Sequence, residues 1–266
     1  MPIFNPEQLE KWSCGTWQDY PKDKISGFSI DSRNLSSGDL FVAIKADRDG
    51  HDFLTFAREN GAHASIVENV QSDVSLPQLL VQDSIQAIHD IAHRHRLEFE
   101  GPVVGITGSC GKTSTKDILG LLLGRERALC TDGNLNNYLG VPLTLLRCDN
   151  NVHQYAVVEA GINQVGEMSR LSKTISPNLV VVTIIAPSHL EGLGTIDQIA
   201  SEKADLFLKS VNSNTVIFPE DCLRFKNFLD RYECGKGVIV LRDGEPASEP
   251  SPNEAFSSIL TETNKI

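Results

Sequence analysis

The run Gly105-Ile106-Thr107-Gly108-Ser109-Cys110-Gly111-Lys112-Thr113-Ser114 has the residue types that bind a chain of phosphates. Glycines let backbone N–H groups close around phosphate oxygens, and the start of a helix attracts the same anion. Lys112 would reach the terminal phosphates, and the Thr113 hydroxyl would hold Mg²⁺. The spacing is Gly-x-x-Gly-x-x-Gly-Lys-Thr, with Ile106 where the strict phosphate-loop pattern has glycine. The plain alternative is a glycine-rich turn that only joins a strand to a helix. The flanks argue for the phosphate loop: Val103 to Ile106 reads as a strand and Asp117 to Leu123 as a helix. Cys110 lies inside the loop, where its backbone N–H is the useful part and its thiol a small tolerated group.

Three further clusters carry chemistry. Tyr155-Ala-Val-Val-Glu159 puts a carboxylate at the end of an apolar strand, where an acid holds Mg²⁺ directly or through water; the alternative is a surface acid. Gly161, Asn163 and Gly166 follow it and suggest a functional loop. His189 and Glu191 follow the next strong strand; the imidazole is either a metal ligand or a packing group. The amides of Asn134, Asn136 and Asn137 either face a ligand or simply form a turn. Nearer the N-terminus, Arg33, Lys45 and Arg48 stand at strand ends, as a diphosphate grip or as solvated charge.

These groups need a sheet edge to meet on. Residues 1–97 read as a small α/β unit with strands at 28–30, 40–44, 64–67 and 79–81. Its helices are Asp52 to Asn60 and one capped by Ser84, on which His89, His93, His95, Asp90, Arg94 and Arg96 read as a solvated polar face. A linker at 98–102 follows. Residues 101–266 alternate strand and helix, which implies a parallel sheet covered on both faces. Its strands are expected at 103–107, 128–131, 155–159, 179–185, 215–218 and 237–241, with helices at 113–124, 166–174, 195–210 and 221–231. Ligands in such sheets bind beyond the carboxyl ends of the strands. Asp243 to Ile266 has weak periodicity and no closing element.

Composition bounds the rest. The chain has 266 residues and a net charge of −11, which argues against a broad nucleic-acid surface. None of the six cysteines lies in a C-x-x-C, so they read as reduced thiols of a cytoplasmic protein. No secretory signal and no apolar run of membrane-spanning length is visible.

Together these segments resemble the Mur ligase family, most closely its MurF type, over about residues 25–220. Gly133-Asn134-Leu135-Asn136-Asn137, Gly140 to Leu146 and His189-Leu190-Glu191-Gly192 are similar to that type in particular. Asp31-Ser32-Arg33, Gly38 to Ile44 and Asp49 to Phe53 are similar to the uridine-nucleotide domain that the MurE and MurF types share. The resemblance implies an ATP-dependent ligase that joins D-alanyl-D-alanine to UDP-N-acetylmuramoyl-tripeptide in peptidoglycan precursor synthesis, through an acyl phosphate. It implies ATP on Gly108 to Ser114, and substrate on Ser32, Arg33, Lys45, Asn134, Asn136 and Asn137. It gives one Mg²⁺ to Thr113 and Glu159 and a second to Glu159 and His189, and catalytic roles to Lys112, His189 and Lys203, the last in the place of a lysine that can be carbamylated. A monomer with no nucleic-acid partner is implied.

Departures are also visible. Ile184 stands where the family has Asn beside the nucleotide, and Ala46 where glycine is common, in a loop one residue shorter. Gln164 and Met168 to Arg170 differ mildly. No segment matches the family's third, Rossmann-like domain, so a truncated chain is expected. The rival readings are a non-catalytic fragment that binds nucleotide or UDP-sugar-peptide, another amide ligase of the superfamily (MurE-, folate- or cyanophycin-type), and a generic phosphate-loop kinase.

Overall fold

The computed structural model describes residues 2–188, 190–208, 215–234 and 237–242. Met1–Phe99 with Pro142–Asn151 form one unit, and Glu100–Val141 with Val152–Ile266 form the other.

The first unit holds α1 (Pro6–Ser13), β1 (Thr16–Trp17), β2 (Gly27–Ser29), β3 (Asp39–Val42), α2 (Leu54–Glu59), β4 (Ala64–Val67), β5 (Gln78–Leu80) and α3 (Ser84–Glu98). The strand order is β1-β5-β4-β3-β2, with β2 to β5 parallel and β1 antiparallel at the edge. Phe41, Leu54, Ala57 and Val67 form its core between sheet and helix. The cap of α3 is Asp83 and not Ser84: the Asp83 carboxylate accepts the N–H groups of Ile85 and Gln86, while Ser84 is buried. The expected solvated face of α3 holds for the exposed Arg94 but not for His89 and Arg96. Its apolar stripe through Ile85, Ile88 and Ala92 carries His89 and Arg96 as well, at the same helical spacing, and both are buried. His95 Nε2 donates to the Cys148 carbonyl at 2.8 Å, and burial lowers the pKa of its ring. The side chain of Asn150 donates to the Glu98 carbonyl at 2.9 Å. Through such bonds Pro142–Asn151 belongs with the first unit, where a single crossing near residues 98–102 was expected.

The second unit holds β6 (Val103–Thr107), α4 (Lys112–Leu123), β7 (Ala128–Cys130), the start of α5 (Gly140–Leu145), β8 (Tyr155–Glu159), α6 (Glu167–Ile175), β9 (Leu179–Val182), α7 (Leu190–Leu193), α8 (Ile196–Leu208), β10 (Thr215–Pro219), α9 (Lys226–Glu233) and β11 (Val238–Leu241). The order is β11-β10-β9-β6-β8-β7, and every pairing among the described residues is parallel. The sheet is built from apolar runs such as Val103-Val104 and Leu179 to Val182, which a sheet covered on both faces requires. The strand expected over 179–185 ends at Val182, because Thr183 to Ala186 turn away to brace the glycine-rich loop. The helix expected over 221–231 begins as a 3-10 turn, Glu220–Arg224, before α9. Asp243 to Ile266 lie outside the described residues.

Candidate functional site

The parallel strands send their following loops off one edge of the sheet. The chain leaves central β6 toward β7 and β8 on one side and later reaches β9 on the other. Such a reversal opens a crevice beside the first strand. The loop Gly108 to Gly111 sits there, between β6 and the start of α4. Gly108 has a φ of +146°, and a side chain at that position would strike the Thr183 hydroxyl. That hydroxyl lies 2.5 Å from the Cys110 carbonyl. Ser109 ties the loop down further: its N–H donates to the Ile184 carbonyl at 2.7 Å, and its Oγ donates to the Ala186 carbonyl at 2.7 Å.

Two lysines converge on one backbone carbonyl. Lys112 Nζ lies 3.0 Å and Lys203 Nζ 3.1 Å from the Gly108 oxygen. Neither has a carboxylate partner among the described residues. Lys203 comes from α8 and is only 2% exposed. Burial, and then the charge of Lys112, push its pKa down to about 8. Two ammonium groups on one dipole, one of them out of water, make a site that calls for an anion.

Beside them, Glu159 ends β8 in register with Ile106 of β6. The residue is 1% exposed. Thr113 Oγ1 donates to Oε2 at 3.0 Å, and Asn136 Nδ2 donates to Oε1 at 2.7 Å. The Glu159 N–H donates to Thr131 Oγ1 at 2.9 Å. The Thr131 carbonyl accepts from the buried Lys116 ammonium at 3.0 Å. Thus α4, the end of β7 and the end of β8 are bonded into one cluster.

The structure brings together Gly108, Ser109, Cys110, Gly111, Lys112, Thr113, Glu159, Asn136 and Lys203. His189 lies outside the described residues. Asn137 caps the start of α5, its Oδ1 accepting the N–H groups of Leu139 and Gly140. Asn134 is exposed, and its carbonyl accepts the Asn136 N–H. In the first unit Ser32 is buried, Arg33 is held two-pronged by Asp31 at 2.9 and 2.8 Å, and Lys45 pairs with Glu68 at 2.9 Å. The Arg33 guanidinium holds the Asp31 carboxyl down at about 2. Arg33 and Lys45 therefore meet any ligand already paired, whereas Arg48 is simply exposed. Sequence reading missed Thr131, Lys116 and Thr183. Only Lys116 carried a signal, one helical turn beyond Lys112 on α4.

The donor set suits Mg²⁺. The Thr113 hydroxyl and the Glu159 carboxylate are hard oxygen donors already in contact, and Mg²⁺ in phosphate sites takes one or two carboxylates and completes its shell with phosphate and water. Among the described residues no group of three or more His, Cys, Asp or Glu gathers.

Lys203 supplies a pH test. Its folded pKa of about 8 lies below the ordinary 10.5, so the unfolded chain holds the proton more tightly. The penalty is complete below pH 8 and disappears as the pH rises through 8 to 10.5. Across that window, stability should rise by up to about 3 kcal/mol more than in Lys203→Met. Urea unfolding midpoints of the two chains at several pH values check this; parallel profiles would contradict it.

Comparison with known proteins follows the same residues. A family profile described as "Mur ligase middle domain" matches residues 106–247, and one described as "Mur ligase family, catalytic domain" matches residues 24–96. The UDP-N-acetylmuramoyl-tripeptide--D-alanyl-D-alanine ligase of Escherichia coli (strain K12) is 40% identical over 185 residues, which cover 69% of this chain and 40% of that protein. A crystal structure of MurF from Acinetobacter baumannii has a TM-score of 0.82 at 32% identity, covering 92% of this chain and 54% of that one. MurF ligase from Thermotoga maritima, solved in complex with ADP, has a TM-score of 0.70 at 31% identity, covering 82% and 51%. The chain spans about two fifths of the length of the first curated relatives it matches. No helix among the described residues is long and apolar enough to cross a membrane, and all six cysteines are free.

Proposed function

Because the chain belongs to the Mur ligase family, we propose that it serves ATP-dependent amide-bond formation of the MurF type, joining D-alanyl-D-alanine to UDP-N-acetylmuramoyl-tripeptide. The observation that carries this reading is the pair of lysines on the Gly108 carbonyl beside the Thr113–Glu159 contact. The site thus offers positive charge for phosphate and a carboxylate for a cation at one sheet edge.

The reaction has two steps. The peptide carboxylate attacks the γ-phosphorus of ATP, ADP leaves, and an acyl phosphate remains. The dipeptide amine then attacks the acyl carbon, phosphate departs with the C–O bond, and the amine loses a proton. The first step drives two anions together, so neutralisation and alignment must lower its barrier. Lys112 is the cation free to turn from the Gly108 carbonyl to the phosphates, and Lys203 keeps that carbonyl oriented when it does. The backbone of Gly108 to Gly111, braced by Thr183 and Ser109, receives the phosphate oxygens without rearranging. Thr113 and Glu159 would hold Mg²⁺, which screens the charge of the phosphates when bound. By resemblance, Lys203 is the position open to carbamylation, and its lowered pKa favours the neutral amine that such a reaction needs. Ser32, Arg33 and Lys45 are proposed to hold the uridine-nucleotide part of the substrate. The six free thiols suit a reducing cytoplasm.

The test is direct. The chain is incubated with Mg-ATP, UDP-N-acetylmuramoyl-tripeptide and D-alanyl-D-alanine, and the ligated product is sought by mass. Product at the summed mass less one water supports the proposal; nucleotide and UDP-peptide binding without product would favour a binding role.

A further inference from the structure

We propose that Asn136 is a positioning residue for the Glu159 carboxylate, and that the bare Cα of Gly161 leaves its amide the room to act. The proposal rests on the nucleotide reading above and assigns a function within that site. Asn136 lies in the turn between β7 and α5, and it is tied to the end of β8 twice. Its Nδ2 donates to Glu159 Oε1 at 2.7 Å, and its own carbonyl accepts the Gly161 N–H at 2.8 Å. Its N–H donates to the Asn134 carbonyl at 2.7 Å, which fixes the turn itself. A Cβ on Gly161 would stand 3.1 Å from Asn136 Oδ1 and 3.2 Å from its Cγ, so the amide would have to give by a few tenths of an ångström.

The consequence is an oriented carboxylate. Asn136 occupies Oε1, so the oxygen left toward the glycine-rich loop is Oε2, the one already on the Thr113 hydroxyl. A carboxylate that cannot rotate offers one oxygen in one direction, which suits the strict geometry of Mg²⁺. A neutral donor is required: Asp at position 136 would set a second carboxylate against Glu159. One of the two amide N–H groups is engaged by Glu159, which leaves the other N–H and Oδ1 open to the substrate contact that the resemblance implies. Partners that orient metal ligands typically change metal affinity by about 10- to 100-fold when removed.

The experiment titrates Mn²⁺, a paramagnetic stand-in for Mg²⁺, into the full chain with ADP and follows free Mn²⁺ by electron paramagnetic resonance. Asn136→Ala should weaken Mn²⁺ binding by about 10- to 100-fold while ADP affinity in EDTA is unchanged. Asn136→Asp should weaken it at least as far. Gly161→Ala should weaken it in the otherwise native chain and have no further effect on the Asn136→Ala background. Unchanged Mn²⁺ affinity in Asn136→Ala, or additive effects of the two substitutions, would overturn the proposal even if the melting temperature falls. If Asn136→Ala does not fold, Gly161→Ala and Asn136→Asp decide it by the same readout. A native chain that binds ADP in EDTA but no Mn²⁺ overturns the proposal alone; one that binds neither overturns the nucleotide reading with it.

Discussion

Replacing Lys112 with alanine is expected to cut ligation by about a thousandfold, in line with the removal of one oriented charge from a phosphoryl-transfer site. The effect should be on chemistry and not on folding. Lys112 is the first residue of α4 and only partly buried, and its ammonium bonds the Gly108 carbonyl, which keeps Lys203 as a donor. Its removal therefore leaves no buried acceptor unpaired. It also relieves repulsion on Lys203, whose pKa is lowered partly by Lys112. The check is ADP release in the presence of both substrates, together with the melting temperature. A variant that keeps a tenth or more of the activity would show that Lys112 does not carry the phosphate charge.

Glu159→Gln should lower the rate by about 100- to 1000-fold, again with the fold retained. Glutamine has the same volume, and one amide oxygen can still accept from Asn136. Its NH₂ group would face the Thr113 hydroxyl, which can reverse and accept. What is lost is the negative charge of a carboxylate almost wholly out of water. The two substitutions should differ in one respect. Lys112→Ala should weaken ADP binding with or without Mg²⁺, whereas Glu159→Gln should weaken it only when Mg²⁺ is present. Calorimetric titration of ADP in Mg²⁺ and in EDTA separates them; equal losses in both conditions would remove Glu159 from the metal.

The difference between what the chain announces and what it conceals follows from the range of the interactions. The phosphate loop was legible because its chemistry is local: glycines, Lys112 and Thr113 lie within one turn between an apolar run and a helix. Glu159 was legible as a strand end because β8 is apolar to its last residue. The partners were not. Asn136 reads as one of three turn amides, and only the pairing of β7 with β8 brings it to Glu159. Lys203 reads as a surface residue of α8 on composition; the family resemblance singled it out, and its burial against the loop comes from how α8 packs. In the first unit, α1 and β1 went unread because an eight-residue helix and a two-residue strand carry little periodicity. β1 exists through its antiparallel bonds to β5, an interaction of distant residues. His89 and Arg96 were assigned to water by their polarity, although their helical spacing matched the apolar stripe.

In the proposed reaction, phosphate passes from ATP to a peptide carboxylate before the amide bond forms. The most direct measurement uses UDP-N-acetylmuramoyl-tripeptide labelled with oxygen-18 in its terminal carboxylate, and mass analysis of the phosphate released during ligation. An acyl phosphate requires one labelled oxygen to leave with each phosphate, giving one oxygen-18 per phosphate from fully labelled carboxylate. Ligated product accompanied by unlabelled phosphate, or no labelled phosphate at all, would contradict the account.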